Sequence, residues 1–418
     1  MDFYSLVTVL LVILITSVLV NYIKLLLEKS KLPPGPTPLP IIGTLHLMNL
    51  DDVVKSLLEL SKKYGDIFTV YEGTRPVIIL CSYKALKETF IDKAEEFSGR
   101  AYYASFYDFT KGDDLAFSSG EKWKEFRRFS ALTLGNFGVG KRSFEERIRE
   151  EAMYLTEVLR KSNDYVRKKM EINMKTFDIN NPRDFIDCFL TKIEKEGKTK
   201  ADIYNTDTLV MNTMIMFFGG TETVSATTRF TFLLLLKYPS ITEKVYNEID
   251  NVIGQRPPNF EDRFKMPYTD AFIHEVQRFA DVTPLGLPHE LTMDTEIRNY
   301  KFKKGTVFTS VLTGVHNDET QFKNPEHFDP KNFLDENGKL MKNESLMPFS
   351  AGRRICPGMT LAKIELFIFI TTLLQNFTIK SPVPPEKISV APVGCGIGHI
   401  PPTFEICLIP RTCSQEEQ

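Results

Sequence analysis

Cys356 lies in the stretch of this chain where several unusual residues crowd together: Phe349-Ser350-Ala351-Gly352-Arg353-Arg354-Ile355-Cys356-Pro357-Gly358. Glycines on either side allow the backbone to approach a flat group more closely than any larger residue would. An apolar helix is expected to begin at once after the cysteine, with Pro357 suited to its first turn. The positive end of that helix favours a thiolate, and loop N–H groups can hydrogen-bond the sulfur. Arg354, two residues away, offers a cation to an acidic edge of the same group. An inert buried thiol in an ordinary turn is the bland alternative. It leaves the phenylalanine, the glycines and the arginine at their offsets unexplained.

Three further constellations carry candidate chemistry. Gly219-Gly220-Thr221-Glu222-Thr223 lies inside a long apolar helix, Thr208 to Lys237, which it is expected to interrupt. Paired glycines can open a helix, and a mid-helix threonine can bond back to a carbonyl one turn earlier, although a packing kink would look the same. Glu275 and Arg278 stand three apart on a helix, a spacing that ordinarily means a surface ion pair. Trp123 and Arg127, four apart, project from one side of a helix, with Lys124 and Arg128 on the adjacent side. One buried tryptophan beside a solvated basic face would read identically.

The elements that must position these groups are mostly helical. Leu57, Leu60 and Tyr64 recur at helical spacing, as do Ile148, Ala152, Leu155 and Leu159, and Leu361 to Phe377 is strongly apolar. Ile67–Tyr71 and Pro76–Cys81 read as short strands around a Gly73 turn, and residues 383–410 suit short strands and loops. The class is mainly α with small β-sheets. A hydrophobic fraction of 42% supports a large core, and a net charge of −2 excludes a general nucleic-acid footprint. Six cysteines without a Cys-x-x-Cys pair argue against a disulfide framework and against structural zinc.

Phe3 to Val20 is almost wholly apolar and is extended to Leu27, enough for the roughly 20 residues a transmembrane helix needs. Asp2 before it and the lack of a small-x-small site after it argue against a cleaved signal. Lys24, Lys29 and Lys31 follow the span, so the rest of the chain is expected on the cytosolic side. Residues 1–31 thus read as an anchor, 32–41 as a stiff proline-rich linker and 42–418 as a single domain. The linker also spells Pro-x-x-Pro, a ligand for proline-recognition modules in other settings.

The cysteine stretch matches F-x-x-G-x-R-x-C-x-G throughout. It resembles the haem-binding signature of the cytochrome P-450 superfamily, whose thiolate ligand favours O–O cleavage. From the apolar N-terminus to about Arg411 the chain is similar to the vertebrate microsomal, drug- and lipid-oxidising second family. The resemblance implies the α-rich triangular prism of that haem-thiolate fold, and haem b (iron protoporphyrin IX) with Cys356 as axial metal ligand. It implies that Thr223 steadies bound oxygen and Glu222 delivers protons. Trp123, Arg127 and Arg354, with Arg100 in Phe97-Ser98-Gly99-Arg100 and His289 in Leu287-Pro288-His289, match propionate-binding positions. Glu275 and Arg278 match the structural E-x-x-R element, and His327, in Pro325-Glu326-His327-Phe328, stands where the family has an arginine. Phe106, Leu285 and Ile397 fall in segments resembling substrate-recognition loops. Lys122, Lys124 and Arg128 would belong to a basic surface that meets an acidic NADPH–cytochrome reductase. The implied setting is the endoplasmic reticulum membrane, with a small b-type cytochrome as a second electron donor and an apolar small molecule as substrate.

One departure from the family stands out. Between the Trp123 helix and the glycine-pair helix the chain is short by on the order of 70 residues, several helices' worth at ~1.5 Å rise each. The deficit falls near Ser162-Asn163-Asp164, so helices between the family's fourth and seventh are expected to be absent. Leu159, Val166, Met170 and Met174 keep helical spacing across this join, which would let one long helix run through it. An active monooxygenase is one expectation. A haem-thiolate isomerase fits less well, because Glu222-Thr223 is present. A membrane-bound variant without turnover, binding haem or reductase at most, is the competing reading.

Overall fold

The computed structural model describes residues 3–104, 107, 110–137, 173, 175–394 and 398–411. Phe106, Ile397, the 148–159 stripe and the helix expected across the join therefore lie outside the described residues. Helix α1 (Phe3–Lys29) has none of its apolar window buried, while its last turns meet the chain that follows, with Leu25 buried and Tyr22 donating its hydroxyl to the Pro38 carbonyl at 3.2 Å. The proline linker is not a free spacer, as it docks on the first strand of the body. Thr69 donates its amide to the Pro34 carbonyl at 2.8 Å and its hydroxyl to the Pro33 carbonyl at 2.9 Å. Prolines lack N–H groups but keep their carbonyls, so they can still accept from an edge.

Helix α2 (Val53–Tyr64) is capped by Asp52, whose side chain accepts from the Lys55 amide at 3.0 Å. Strands β1 (Ile67–Glu72) and β2 (Arg75–Leu80) follow, then α3 (Tyr83–Leu86), which runs into a π turn at Lys87–Ile91. Strand β3 (Gly99–Arg100) and helices α4 (Gly120–Asn136) and α5 (Phe185–Glu196) lead to α6 (Thr206–Lys237). Next come α7 (Pro239–Glu248), α8 (Pro267–Ala280), β4 (His289–Glu290), β5 (Thr295–Ile297), β6 (Tyr300–Phe302), β7 (Val307–Ser310) and α9 (Leu312–His316). Helix α10 (Met359–Asn376) and strands β8 (Phe377–Lys380) and β9 (Cys407–Pro410) complete the order. The main sheet runs β1-β2-β7-β4-β3, and β3 pairs antiparallel with β4 so that Arg100 faces His289.

Helix α6 runs unbroken through Gly219-Gly220, contrary to the expected interruption. Thr223 compensates for the glycines by donating its hydroxyl to the Gly219 carbonyl at 2.7 Å, the back-bond its position allows. The C-terminal half of α6, through Phe230, Leu233 and Leu234, packs with Phe272 and Val276 of α8 and Phe367 and Ile368 of α10 into the largest core cluster. Helix α10 starts at Met359 after Gly358, so Pro357 lies in the preceding turn and not in the first helical turn.

Glu275 and Arg278 form a pair with both side chains wholly buried, not a surface bridge. Arg278 donates to both Glu275 oxygens at 2.7 and 2.8 Å, and also to the carbonyls of His316, Pro325 and His327 at 2.9, 2.9 and 3.2 Å. His327 thus enters through its carbonyl, while the residue itself is exposed. The position expected from the resemblance thus meets the Glu275–Arg278 pair through its backbone. Glu275 in turn accepts the Asp329 amide at 2.9 Å. A buried ion pair with every donor satisfied is costly to break from one side. Arg278→Leu should therefore destabilise the fold by about 3–5 kcal/mol, read as a lowered denaturant midpoint. An unchanged midpoint would contradict this account.

Candidate active site

The cysteine loop is seated by one glycine. Gly352 has φ +72°, and a Cβ there would fall 1.9 Å from the Phe90 carbonyl oxygen, so only glycine lets the loop rest on the π turn. The Cys356 amide donates to the Phe349 carbonyl at 3.0 Å, which closes the loop on itself. Upstream, the Met347 amide donates to Nε2 of buried His316 at 3.1 Å, and His316 Nδ1 donates to Asp281 at 2.9 Å. The loop is thereby tied to α9 and to the end of α8. Burial pushes the Cys356 thiol up, opposed by hydrogen bonds from the Gly358 and Met359 amides and by the Arg127 guanidinium. Those are the groups a bound thiolate needs around it.

Beside the loop, Arg354 is almost wholly buried and lies 4.0 Å above the Trp123 ring. It donates Nε to the Ser98 carbonyl at 2.7 Å and Nη2 to the Ser118 carbonyl at 2.8 Å, while Nη1 is buried without a partner. Arg100 donates Nε to Ala116 at 3.0 Å and Nη1 to Leu287 at 2.7 Å. Burial pushes Arg354 down to about 8, and the neighbouring Arg100 and Arg127 guanidiniums add to this. Burial likewise lowers Arg127 and takes Arg100 down to about 10. His289 donates Nδ1–H to the Phe97 carbonyl at 2.7 Å and stacks on Phe90 at 3.9 Å. Burial, then Arg100, hold it well below the ordinary histidine range, so the ring is neutral with Nε2 left to accept.

The structure therefore brings Arg100, Trp123, Arg127, His289, Arg354 and Cys356 into one region. It leaves Glu222 and Thr223 on an exposed stretch of α6, next to exposed Phe217 and Phe218. Leu285 is half-buried against the β1–β2–β7 core. Lys122 pairs with Asp113, Lys124 with Glu121 at 2.7 Å and Arg128 with Glu125 at 3.2 Å, so the expected basic surface is interleaved with acids. The sequence reading missed Asp114, wholly buried among the arginines. It also missed Phe90 and the carbonyls of Ser98 and Ser118. Backbone acceptors leave no mark in a sequence, and Asp113-Asp114 after Gly112 reads as a turn.

The family model described as Cytochrome P450 matches residues 33–165 and 160–408. The chain belongs to the cytochrome P450 family. It is 43% identical to Cytochrome P450 2F2 of Mus musculus over 462 aligned positions, covering 91% of this chain and 94% of that protein. It is 41% identical to Cytochrome P450 2C8 of Homo sapiens (92% and 95% covered) and 40% identical to Cytochrome P450 2B4 of Oryctolagus cuniculus (91% and 94%). An alignment of 462 positions exceeds the 418 residues of this chain, so the relatives carry residues it lacks. The family match breaks at 160–165, where the sequence placed the join.

Cytochromes P450 are monooxygenases that carry haem on a cysteine thiolate. The residues present fit such a group: a buried cysteine sulfur whose charged form the Gly358 and Met359 amides and Arg127 favour, three guanidiniums with one carboxylate acting on them among the described residues, and an orphaned Arg354 Nη1. An acidic, flat ligand would satisfy that nitrogen and the unbalanced charge together. Arg354→Met should leave two buried carbonyls without donors, each costing about 1–3 kcal/mol. Haem content per folded chain should fall at least severalfold, measured as the ratio of Soret to protein absorbance. Full haem content in this variant would show that Arg354 only braces the loop.

Proposed function

We propose that this chain is a membrane-anchored monooxygenase that inserts one atom of O2 into an apolar xenobiotic, fatty-acid or steroid-like substrate, with electrons from NADPH delivered by a reductase. Residues 1–31 are its anchor, 32–41 its linker and 42–418 one haem-binding domain on the cytosolic face of the endoplasmic reticulum. The observation that carries this reading is buried Arg354, stacked on Trp123 two residues before Cys356, with its Nη1 left without a partner among the described residues. Haem b, when bound, supplies the oxygen chemistry.

The protein's own residues do the rest. Cys356 is the metal ligand, and the Gly358 and Met359 amides keep its charge on sulfur. Arg100, Trp123, Arg127 and Arg354 hold and orient the acidic edge, and His289 would join them with a proton on Nε2, the form that a bound anion beside it favours. Thr223 presents its hydroxyl oxygen to a proton donor, since its own O–H is directed at the Gly219 carbonyl. Glu222, one residue before it, is exposed and free to exchange protons with solvent. Phe106, Leu285 and Ile397 are proposed walls for an apolar substrate. Lys122, Lys124 and Arg128 sit in surface pairs worth little each, so an acidic reductase or a small b-type cytochrome can exchange places with Asp113, Glu121 and Glu125.

The decisive experiment is a carbon monoxide difference spectrum of the dithionite-reduced protein in its membrane. The red-shifted Soret band of a thiolate-ligated complex is expected, and Cys356→Ala should abolish it. A band at the shorter wavelength, or none, would sink the monooxygenase reading and favour a chain without turnover. With the band in hand, Thr223→Ala should keep NADPH consumption while lowering product formed per NADPH by roughly a hundredfold, the low end of a proton-transfer group's contribution. Unchanged coupling would remove Thr223 from the mechanism.

A further inference from the structure

We infer that Asp114 is the fixed counter-charge of the arginine cluster, a buried carboxylate that sets how tightly and at what potential the acidic cofactor is held. The inference rests on the haem reading above and names a residue that this reading does not use. Asp114 is wholly buried; its Oδ1 accepts the amides of Ala116 at 2.7 Å and Phe117 at 3.0 Å, and its Oδ2 has no partner among the described residues. Burial pushes its carboxyl up, and those two amides, the Thr110 hydroxyl and then Arg100 oppose this. The same short loop supplies the Ala116 carbonyl to Arg100 Nε and the Ser118 carbonyl to Arg354 Nη2. Ser119 Oγ accepts the Arg100 amide at 2.9 Å. The carboxylate is thus built into the strip of backbone that both arginines grip.

A turn cap alone would need only an acceptor oxygen, which asparagine or serine supplies as well. The negative charge needs another reason, and the cluster provides one. Three guanidiniums buried together repel each other, and Asp114 is the anion that opposes this for both Arg100 and Arg354. Two propionates facing three guanidiniums would leave one positive charge in excess, and Asp114 cancels it. Its charge supports the cluster before the cofactor arrives and repels the propionates afterwards. A buried negative charge in this cluster would also favour the oxidised state of an iron held on Cys356.

Asp114→Asn separates the two roles, because the amide oxygen keeps the turn and drops the charge. In the full chain in its membrane, haem transfer to an apoglobin acceptor should slow by roughly tenfold, the scale of a unit charge in a partly desolvated site. The iron midpoint potential should move positive, with the thiolate band in the ferrous–CO spectrum retained. Wild-type transfer rate and potential in a folded Asp114→Asn variant would overturn the inference. Should that variant fold only when haem is supplied during expression, the outcome supports it, since propionates then replace the missing anion. If neither Asp114→Asn nor Asp114→Ser folds with haem present, Asp114 serves the turn and the inference fails. A wild-type chain that takes up no haem would instead refute the haem reading itself.

Discussion

Arg354 is the hinge on which the site turns. A guanidinium out of water is costly unless its donors are met, and here two main-chain carbonyls from distant loops meet them, Ser98 and Ser118. The Trp123 ring lies against its face. Through that one side chain the cysteine loop, the strand carrying Arg100 and the approach to α4 are fixed relative to each other. The third corner, Nη1, has no protein partner. The local fold is therefore complete in all but one donor, and an anion is the acceptor that would also offset the buried positive charge.

A second buried arginine supports the first from beneath. Arg278 gathers the carbonyls of His316, Pro325 and His327 around α8, while His316 passes the constraint on through the Met347 amide to the start of the cysteine loop. Carbonyls are weak acceptors individually, but several converging on one cation form a rigid joint. The loop itself includes Ser350 at φ +59°, a left-handed conformation a non-glycine residue adopts only when its surroundings hold it there. The joint at Arg278 and the Gly352 contact with the Phe90 carbonyl provide that hold.

The sequence was most legible where chemistry and periodicity coincide. Cys356, Arg354, Trp123 and the helices α6 and α10 follow from motifs and apolar runs, and the Ile67–Cys81 hairpin from alternation around Gly73. It was least legible where backbone atoms do the holding. No residue type announces that His327 acts by its carbonyl, or that Pro33 and Pro34 anchor Thr69. The break expected at Gly219-Gly220 failed for a related reason. Glycine lowers helix propensity by only ~1 kcal/mol, and the Thr223 back-bond together with the packed C-terminal half of α6 outweighs it. Asp114 was passed over because two adjacent acids after a glycine read as a solvated turn.

The shortened join bears on one part of the molecule more than the rest. The arginine–cysteine region is built from β3, β4, α4, the 114–119 loop and the cysteine loop, all on segments that the family match covers on either side of 160–165. The stretch Phe217 to Thr223 is instead exposed at every position of α6 it spans, with Phe217 and Phe218 each more than half exposed. Large apolar side chains left in water are a driving force for association or ligand binding. Holding a cofactor and excluding water from a substrate are thus separable demands in this chain. The first depends on buried cations whose partners are present. The second depends on what covers the middle of α6, where relatives have additional chain on which to draw.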